Sequence, residues 1–376
     1  MFDSVIGQAR ALGQLRAMLG SDRVHHGLIF HGPPGVGKGT TATVLAEALL
    51  CLDRASGSAS ACGRCRSCDL FRESGHPDFR WVAKELAMYG DDAAARKRKL
   101  LSIPVDVVRK HLIEPAYKTA QLGGRKVFVV DEAELLNAAG QNAMLKTLEE
   151  PPEGTVIILV TSSEDRLLPT IRSRCQRIGF GPLPDDAVAG WLDGAIAAMD
   201  EPPEMTDAMR AWVVGFADGS LGRAQLTLDF RLTDWAAAIR PRLQRAASGQ
   251  GVGDLGAAMT ECIQGFAEAW VKAQPQASKD AANKRGAALM CGLLTVEARR
   301  RTRRGLDGES VGVAGVPGWL AVIDAVEAFN ARLNSNVNLA IAAAGLGASV
   351  AAALSGTSGR PDAAAVPLIY DRRLEG

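Results

Sequence analysis

The chain has 376 residues, 47% of them hydrophobic and 23% charged, long enough for two or three domains with a substantial apolar core. Its 43 Lys and Arg against 42 Asp and Glu leave a net charge of +1, which excludes nucleic-acid binding by sheer overall charge and confines any such contact to a local patch. No apolar run reaches the roughly 18 residues of a membrane span. Met1-Phe2-Asp3-Ser4 carries Asp where a secretory leader would carry Lys or Arg, so the expectation is a cytoplasmic protein with no membrane contact.

Gly27 to Phe30 is a short apolar run that reads as a strand and ends in Gly32-Pro33-Pro34-Gly35-Val36-Gly37-Lys38, a G-x-x-x-x-G-K pattern followed by a helical segment from Thr40 to Leu50. Strand, glycine-rich turn and helix are the context in which backbone N–H groups, a helix N-terminus and a lysine hold a phosphate. The next position should carry Ser or Thr, whose hydroxyl ligates Mg²⁺. Here it is Gly39, with Thr40 one residue later, so the loop has the parts for binding ATP, while Mg²⁺ would lose a ligand needed for hydrolysis or receive it from a displaced Thr40. A relic loop that folds without nucleotide is the alternative.

Cys51, Cys62, Cys65 and Cys68 follow within eighteen residues. Four thiolates at this spacing suit a closed, structural tetrahedral zinc site; an iron–sulfur cluster or reduced free thiols are the alternatives. Arg64 and Arg66 would offset the charge of a tetrathiolate. His76, in Gly75-His76-Pro77-Asp78, reads as a loop-packing residue, and Cys262 and Cys291 as core.

Trp81-Val82 is a weaker strand, and Glu85 to Leu101, with Asp91-Asp92 and Arg96-Lys97-Arg98-Lys99, reads as an exposed charged insertion. Val127 to Val130 is a third strand. It delivers Asp131 and Glu132, the positions that in P-loop proteins hold Mg²⁺ and polarise the attacking water. Leu136, Ala143, Met144 and Leu148 share a helical face that Pro151-Pro152 ends, and Thr155 to Val160 is a fourth strand. Strand and helix alternating in this way point to a parallel α/β sheet. From Leu183 to about Leu226 come short amphipathic helices, and from Thr227 onward Ala-rich helices broken at Ser248 to Gly253 and Gly305 to Gly318, with a loose stretch from Gly356 to Ala365. Arg299, Arg300, Arg301, Arg303 and Arg304 form the strongest basic run. It reads most simply as a solvated helix end, and any DNA contact there would be to phosphate, since no aromatic residues interleave it.

A cysteine module inserted just after a P-loop helix, together with Asn142 to Pro152 (NAMLKTLEEPP) and Leu168 to Cys175 (LPTIRSRC), resembles the AAA+ subunits of the bacterial DNA polymerase III clamp loader. The resemblance covers about residues 1–227; the C-terminal third is weakly similar, mainly through Asn334 to Ala340. It implies a RecA-like α/β AAA+ domain at 1–182 with the zinc-binding insertion at 51–68, a small helical lid at 183–227 and an all-α collar at 228–376. By this resemblance Arg174 would be an arginine finger acting in trans on a neighbour's ATP, Thr161 a first sensor and Arg223 a second, and Val5-Ile6-Gly7-Gln8 would lie beside an adenine. The implied partners are gamma/tau motors and delta in a hetero-pentameric ring, the sliding clamp, and primed DNA held by its backbone. Motor subunits of this family keep an intact phosphate loop, whereas the rigid stator subunit commonly does not. Gly39, the Gly75 to Asp78 stretch and the modest length favour the stator, which helps load the sliding clamp in replication, while Asp131-Glu132 resembles the ATP-hydrolysing motor. A stand-alone zinc-containing DNA-binding protein is a third reading. Nothing in the chain resembles a polymerase active site.

Overall fold

The computed structural model describes residues 2–89, 102–251, 253–274, 278–333 and 339–356. Most of the expected charged insertion, of Asn334 to Ala340 and of the stretch from Gly356 to Ala365 lies outside them. The chain divides into two compact units, one formed by Met1–Arg231 and Pro275–Ala281, the other by Leu232–Gln274 and Ala282–Gly376. No helix among the described residues is long and apolar enough to cross a membrane.

In the first unit, in chain order, lie α1 (Ala9–Gly20), β1 (Gly27–His31), α2 (Lys38–Leu50), α3 (Arg66–Arg72), β2 (Phe79–Val82), β3 (Lys126–Val130), α4 (Ala138–Glu149), β4 (Thr155–Thr161), α5 (Pro169–Arg172), β5 (Gln176–Gly179), α6 (Asp185–Ala197), α7 (Asp207–Ala217) and α8 (Leu221–Asp229). A further helical stretch before β3 runs from Val105 to Ala116 and is π-wound over Arg109–Ile113. The five strands are parallel in the order β2-β3-β4-β1-β5, the expected RecA-like α/β sheet. Side chains alternate between two cores. Leu28, Phe30, Val127, Val129 and Ile158 pack towards α1 and α2, while Ile29, Phe128, Val130, Ile157 and Leu159 pack towards Met144 and Leu148 of α4. Because both faces are covered, β3 and β4 are buried at every position, and their apolar stretches Val127–Val130 and Val156–Val160 are what made them legible as runs.

Two elements depart from the sequence expectation. β5 was not anticipated: it is an edge strand in which only Ile178 is buried, so it leaves no apolar run. Leu136 is buried in the same core as Met144 but precedes α4, which begins at Ala138 after Asn137 caps it by accepting the Gly140 N–H at 2.7 Å.

The second unit is helical: α9 (Thr233–Ala247), α10 (Leu255–Ala273), α11 (Lys279–Leu306), α12 (Gly315–Leu333) and α13 (Leu339–Ser355). α10 and α13 meet backbone to backbone, since a Cβ on Gly347 would lie 2.6 Å from the Cα of Gly256. Any larger residue at either position would push the two helices apart. Gly305 does not end α11, which runs one residue further, so the arginine run occupies the last two turns of a 28-residue helix.

Candidate functional site

In a parallel sheet with helices on both faces, ligands bind beyond the carboxyl ends of the strands. Adjacent strands β3, β4 and β1 end there in Asp131, Thr161 and the phosphate loop, with His31 in register with Thr161. The topology therefore brings together Lys38, Asp131 and Thr161, which are far apart in sequence. Lys38 is buried, and its Nζ donates to the carbonyls of Gly32 (2.6 Å) and Pro33 (2.5 Å) in its own loop. Burial pulls its pKa down, opposed by the carboxylates of Glu134 and Asp131. Burial pushes Asp131 up, as do the neighbouring acids Glu132, Glu134 and Glu85, against the N–H that Glu132 donates to it.

Glu132 is turned into the left-handed region at φ 46° and forms an ion pair with Lys84 at 2.5 Å. Thr161 is buried and its hydroxyl accepts the Ser163 N–H at 3.0 Å. Glu134, which the sequence reading passed over, accepts from the Ser162 N–H at 3.2 Å and from the Ser162 hydroxyl, and its Oε2 is buried without a hydrogen-bond partner. A stray acid two residues after the expected pair carries no sequence signal of its own; the β4 turn that reaches it identifies it.

The helix α7–α8 junction closes over the phosphate loop. Ser220 caps α8 by accepting the Arg223 N–H at 3.1 Å and donates its own hydroxyl to the Pro34 carbonyl at 2.9 Å. The Gly222 N–H reaches the Gly35 carbonyl at 2.9 Å. Gly35 has φ +73°, and a Cβ there would lie 2.3 Å from Ser220 Oγ, so both the backbone angle and the contact require glycine. Arg223 hydrogen-bonds the Phe216 carbonyl at 3.2 Å and lies over the Phe216 ring, which places it beside the loop but holds it within its own helix pair. Gln8 hydrogen-bonds the carbonyls of Val36 and Gly181, so the Val5 to Gln8 segment does run alongside the phosphate loop.

The magnesium corner is incomplete. Gly39 supplies no hydroxyl, Thr40 is exposed, and the Thr41 hydroxyl is spent on the Gly37 carbonyl at 2.8 Å. A Cβ at position 39 would meet Trp81 Cη2 at 3.4 Å and Cζ2 at 3.9 Å, so an indole stands beside the place where the ligating oxygen would sit. Trp81 entered the sequence reading only as a strand residue. The residues present fit a phosphate group and leave out the hydroxyl ligand of Mg²⁺.

Arg174 lies two residues beyond the end of α5, about one-third exposed. It pairs with Glu149 of α4 at 2.7 Å and donates to the Thr170 carbonyl at 3.0 Å. Cys175 next to it packs against Gly27 and is pushed up to about 12 by burial, which leaves it an unreactive packing thiol.

The four clustered cysteines come together. Their sulfurs all lie within 4.8 Å of one another, with pairs at 3.9 Å (Cys51 and Cys65), 4.0 Å (Cys62 and Cys68) and 3.5 Å (Cys65 and Cys68). Ligands at about 2.3 Å from a tetrahedral ion lie about 3.8 Å from one another, so the cluster has the size of a closed four-sulfur metal site. The Cys62 N–H donates to Cys51 Sγ at 3.2 Å. Burial works against ionisation of Cys65, but the backbone N–H groups of Cys68 and Leu52 and the neighbouring thiols outweigh it and hold Cys65 at about 6. His76 is not a ligand. It is buried and accepts the Asp78 N–H at Nδ1 (3.1 Å), so Nε2 carries the proton and donates to Ser67 Oγ (2.9 Å), which donates to the Leu50 carbonyl at 2.6 Å. Asp78 in turn accepts the N–H groups of Gln121 and Leu122. This relay ties the cysteine module to the sheet.

Residues 7–184 match the family described as DNA polymerase III, delta subunit. Among individual relatives, the DNA polymerase III subunit delta' of Pseudomonas aeruginosa is 40% identical over 199 residues, covering 52% of this chain and 55% of the relative. The delta' subunit of Escherichia coli K12 is 37% identical over 179 residues, covering 48% and 49%. The gamma/tau subunit of Mycobacterium tuberculosis H37Rv is 32% identical over 221 residues, covering 58% of this chain and 35% of the relative. The chain spans about half the length of the delta' relatives it matches. Over residues 7–184, the stretch that carries the sheet, the phosphate loop and the cysteine cluster, the chain is similar to the DNA polymerase III delta subunit family and, among individual relatives, to delta' subunits.

Proposed function

We propose that the chain is a non-hydrolysing stator of a DNA polymerase III clamp loader, which completes the ATP site of a neighbouring gamma/tau motor by presenting Arg174 to it in trans. The observation that carries this reading is the incomplete magnesium corner: Gly39 has no oxygen to offer, Trp81 stands against the position, and Lys38 is engaged by two carbonyls of its own loop. Arg174 is about one-third exposed and is held by the Glu149 carboxylate and the Thr170 carbonyl. In the assembly it would exchange that carboxylate for the γ-phosphate of a partner's nucleotide, where a guanidinium can form two parallel hydrogen bonds. Delta, the sliding clamp and primed DNA are the further partners of this reading. The metal in the cysteine cluster is zinc, held structurally by Cys51, Cys62, Cys65 and Cys68, because four thiolates with no open position suit that ion.

Reconstitution with gamma/tau and delta tests the reading through DNA-dependent ATPase. Arg174→Ala should slow turnover at the one site it serves by about 10³- to 10⁵-fold, whereas Lys38→Ala should leave the complex active. Turnover by the chain alone that vanishes in Lys38→Ala would make it a motor instead.

A further inference from the structure

Gly75-His76-Pro77-Asp78 gives no ligand to the four-cysteine cluster, yet it supplies two of three polar side chains buried beside it. Ser67, His76 and Asp78 are 1%, 6% and 5% exposed. Burying polar groups is costly unless each finds a partner, and each of these does. The Asp78 carboxylate accepts the N–H groups of Gln121 at 2.8 Å and Leu122 at 2.7 Å, and its carbonyl accepts the Val127 N–H of β3 at 2.9 Å. The Asp78 N–H goes to His76 Nδ1 at 3.1 Å, which leaves the ring proton on Nε2, 2.9 Å from Ser67 Oγ. Ser67 donates its own hydroxyl to the Leu50 carbonyl at 2.6 Å. Phe71 of α3 lies against the imidazole, ring centroids 6.3 Å apart, and against Phe79 of β2 at 4.8 Å.

Ser67 stands where this relay can act on a metal. The sulfurs come from two segments. Cys51 follows Leu50, the last residue of α2, while Cys65 and Cys68 flank Ser67 at the start of α3. The bond from Ser67 to Leu50 therefore joins the segments at the positions that carry the ligands. It also fixes how backbone N–H groups meet sulfur: that of Cys62 reaches Cys51 at 3.2 Å, and those of Leu52 and Cys68 face Cys65. A tetrahedral ion with sulfurs about 2.3 Å away tolerates little change in that spacing.

We propose that the Asp78–His76–Ser67 relay positions the zinc ligands: it holds Cys51 against Cys65 and Cys68 at the separation the ion requires, and so sets metal affinity without touching the metal. Groups that orient metal ligands through hydrogen bonds are typically worth about 10- to 100-fold in affinity. This role rests on zinc occupying the cluster, as proposed above. Its reach extends beyond the module. Leu50 ends the helix that begins at Lys38, and Asp78 is anchored to β3 and to the turn before it, so bound zinc braces both.

The test uses the full chain loaded with zinc and titrated with a chromophoric chelator, with folding checked by circular dichroism. Ser67→Ala strips the hydroxyl and leaves the Leu50 carbonyl and the His76 N–H unpaired, whereas His76→Leu removes the donor and keeps Ser67. Each should hold zinc about 10- to 100-fold less tightly than the wild type. His76→Gln places an amide N–H where Nε2 stood and should recover most of the loss. The two His76 variants decide the matter even where Ser67→Ala folds poorly. Asn137→Ala removes the cap of α4 in the same unit, has no bond to the relay, and should keep wild-type zinc affinity. Wild-type affinity in both Ser67→Ala and His76→Leu, equal losses in His76→Gln and His76→Leu, or as large a loss in Asn137→Ala would each overturn the relay, the last by making general stability the cause. A wild type that binds no zinc would end the metal reading and this role with it, whereas zinc held equally by wild type and relay variants would end this role alone.

Discussion

Replacing Glu297 by Gln should be among the most damaging single changes in the helical unit. The carboxylate is buried and accepts four hydrogen bonds from three arginines. Glutamine offers one acceptor oxygen in place of two and turns an NH₂ group towards guanidinium donors, so three cations are left around a neutral group. Removing one partner of a buried ion pair costs about 3–5 kcal/mol, and the amide keeps only a fraction of the bonds. For a unit of this size, each kcal/mol moves the midpoint by roughly 3 °C, so the expected fall is about 9–15 °C.

Calorimetry on the full chain, with urea unfolding followed by circular dichroism, would read it. A loss below about 1 kcal/mol would refute the reasoning, because it would mean that the arginines are solvated well enough not to need their anion. The same group sets a pH dependence. Burial raises the Glu297 pKa, but the hydrogen bonds and charges of Arg300, Arg240 and Arg301 win and hold it below the ordinary 4.5. Its stabilisation is complete above the unfolded value and is lost as pH falls through the lower folded value, so the helical unit should weaken only in acid below about pH 4.5.

Ser220→Ala removes both the cap of α8 and the bond to the Pro34 carbonyl, and should cost about 1–2 kcal/mol in a denaturant titration; a neutral result would mean the clasp on the phosphate loop contributes nothing. Gly39→Ala should be neutral or stabilise by up to about 1 kcal/mol, because the new methyl meets Trp81 at ordinary contact distance and α2 gains a better helix former; a clear drop in melting temperature would argue against the placement of the indole. One zinc per chain should be found by elemental analysis and lost in Cys68→Ser, and it should be released more readily as pH falls, since the thiolates must be deprotonated to bind; a stoichiometry of zero in protein purified without chelator would remove the metal site.

The amino-acid sequence by itself determined the elements whose signal is local. β3 and β4 are buried on both faces, so four successive residues of β3 and five of β4 are apolar and the runs stand out. The phosphate loop and the cysteine module each declare themselves by spacing, because one turn must present several groups to one ligand. Gly39 is the same kind of information, a missing oxygen visible as a letter. What only the tertiary structure decided is which distant groups meet. β5 has one buried side chain and no pattern. Trp81 becomes significant only because β2 lies where its indole can reach Gly39 of α2, and Glu134 only because the turn after β4 hydrogen-bonds it next to Lys38. The run from Arg299 to Arg304 read as a solvated helix end, and its geometry depends on Glu297, which looks like an ordinary glutamate until α9 brings Arg240 against it. Local periodicity follows from the geometry of one element. The pairing of charges across elements follows from packing, which no single stretch of chain encodes.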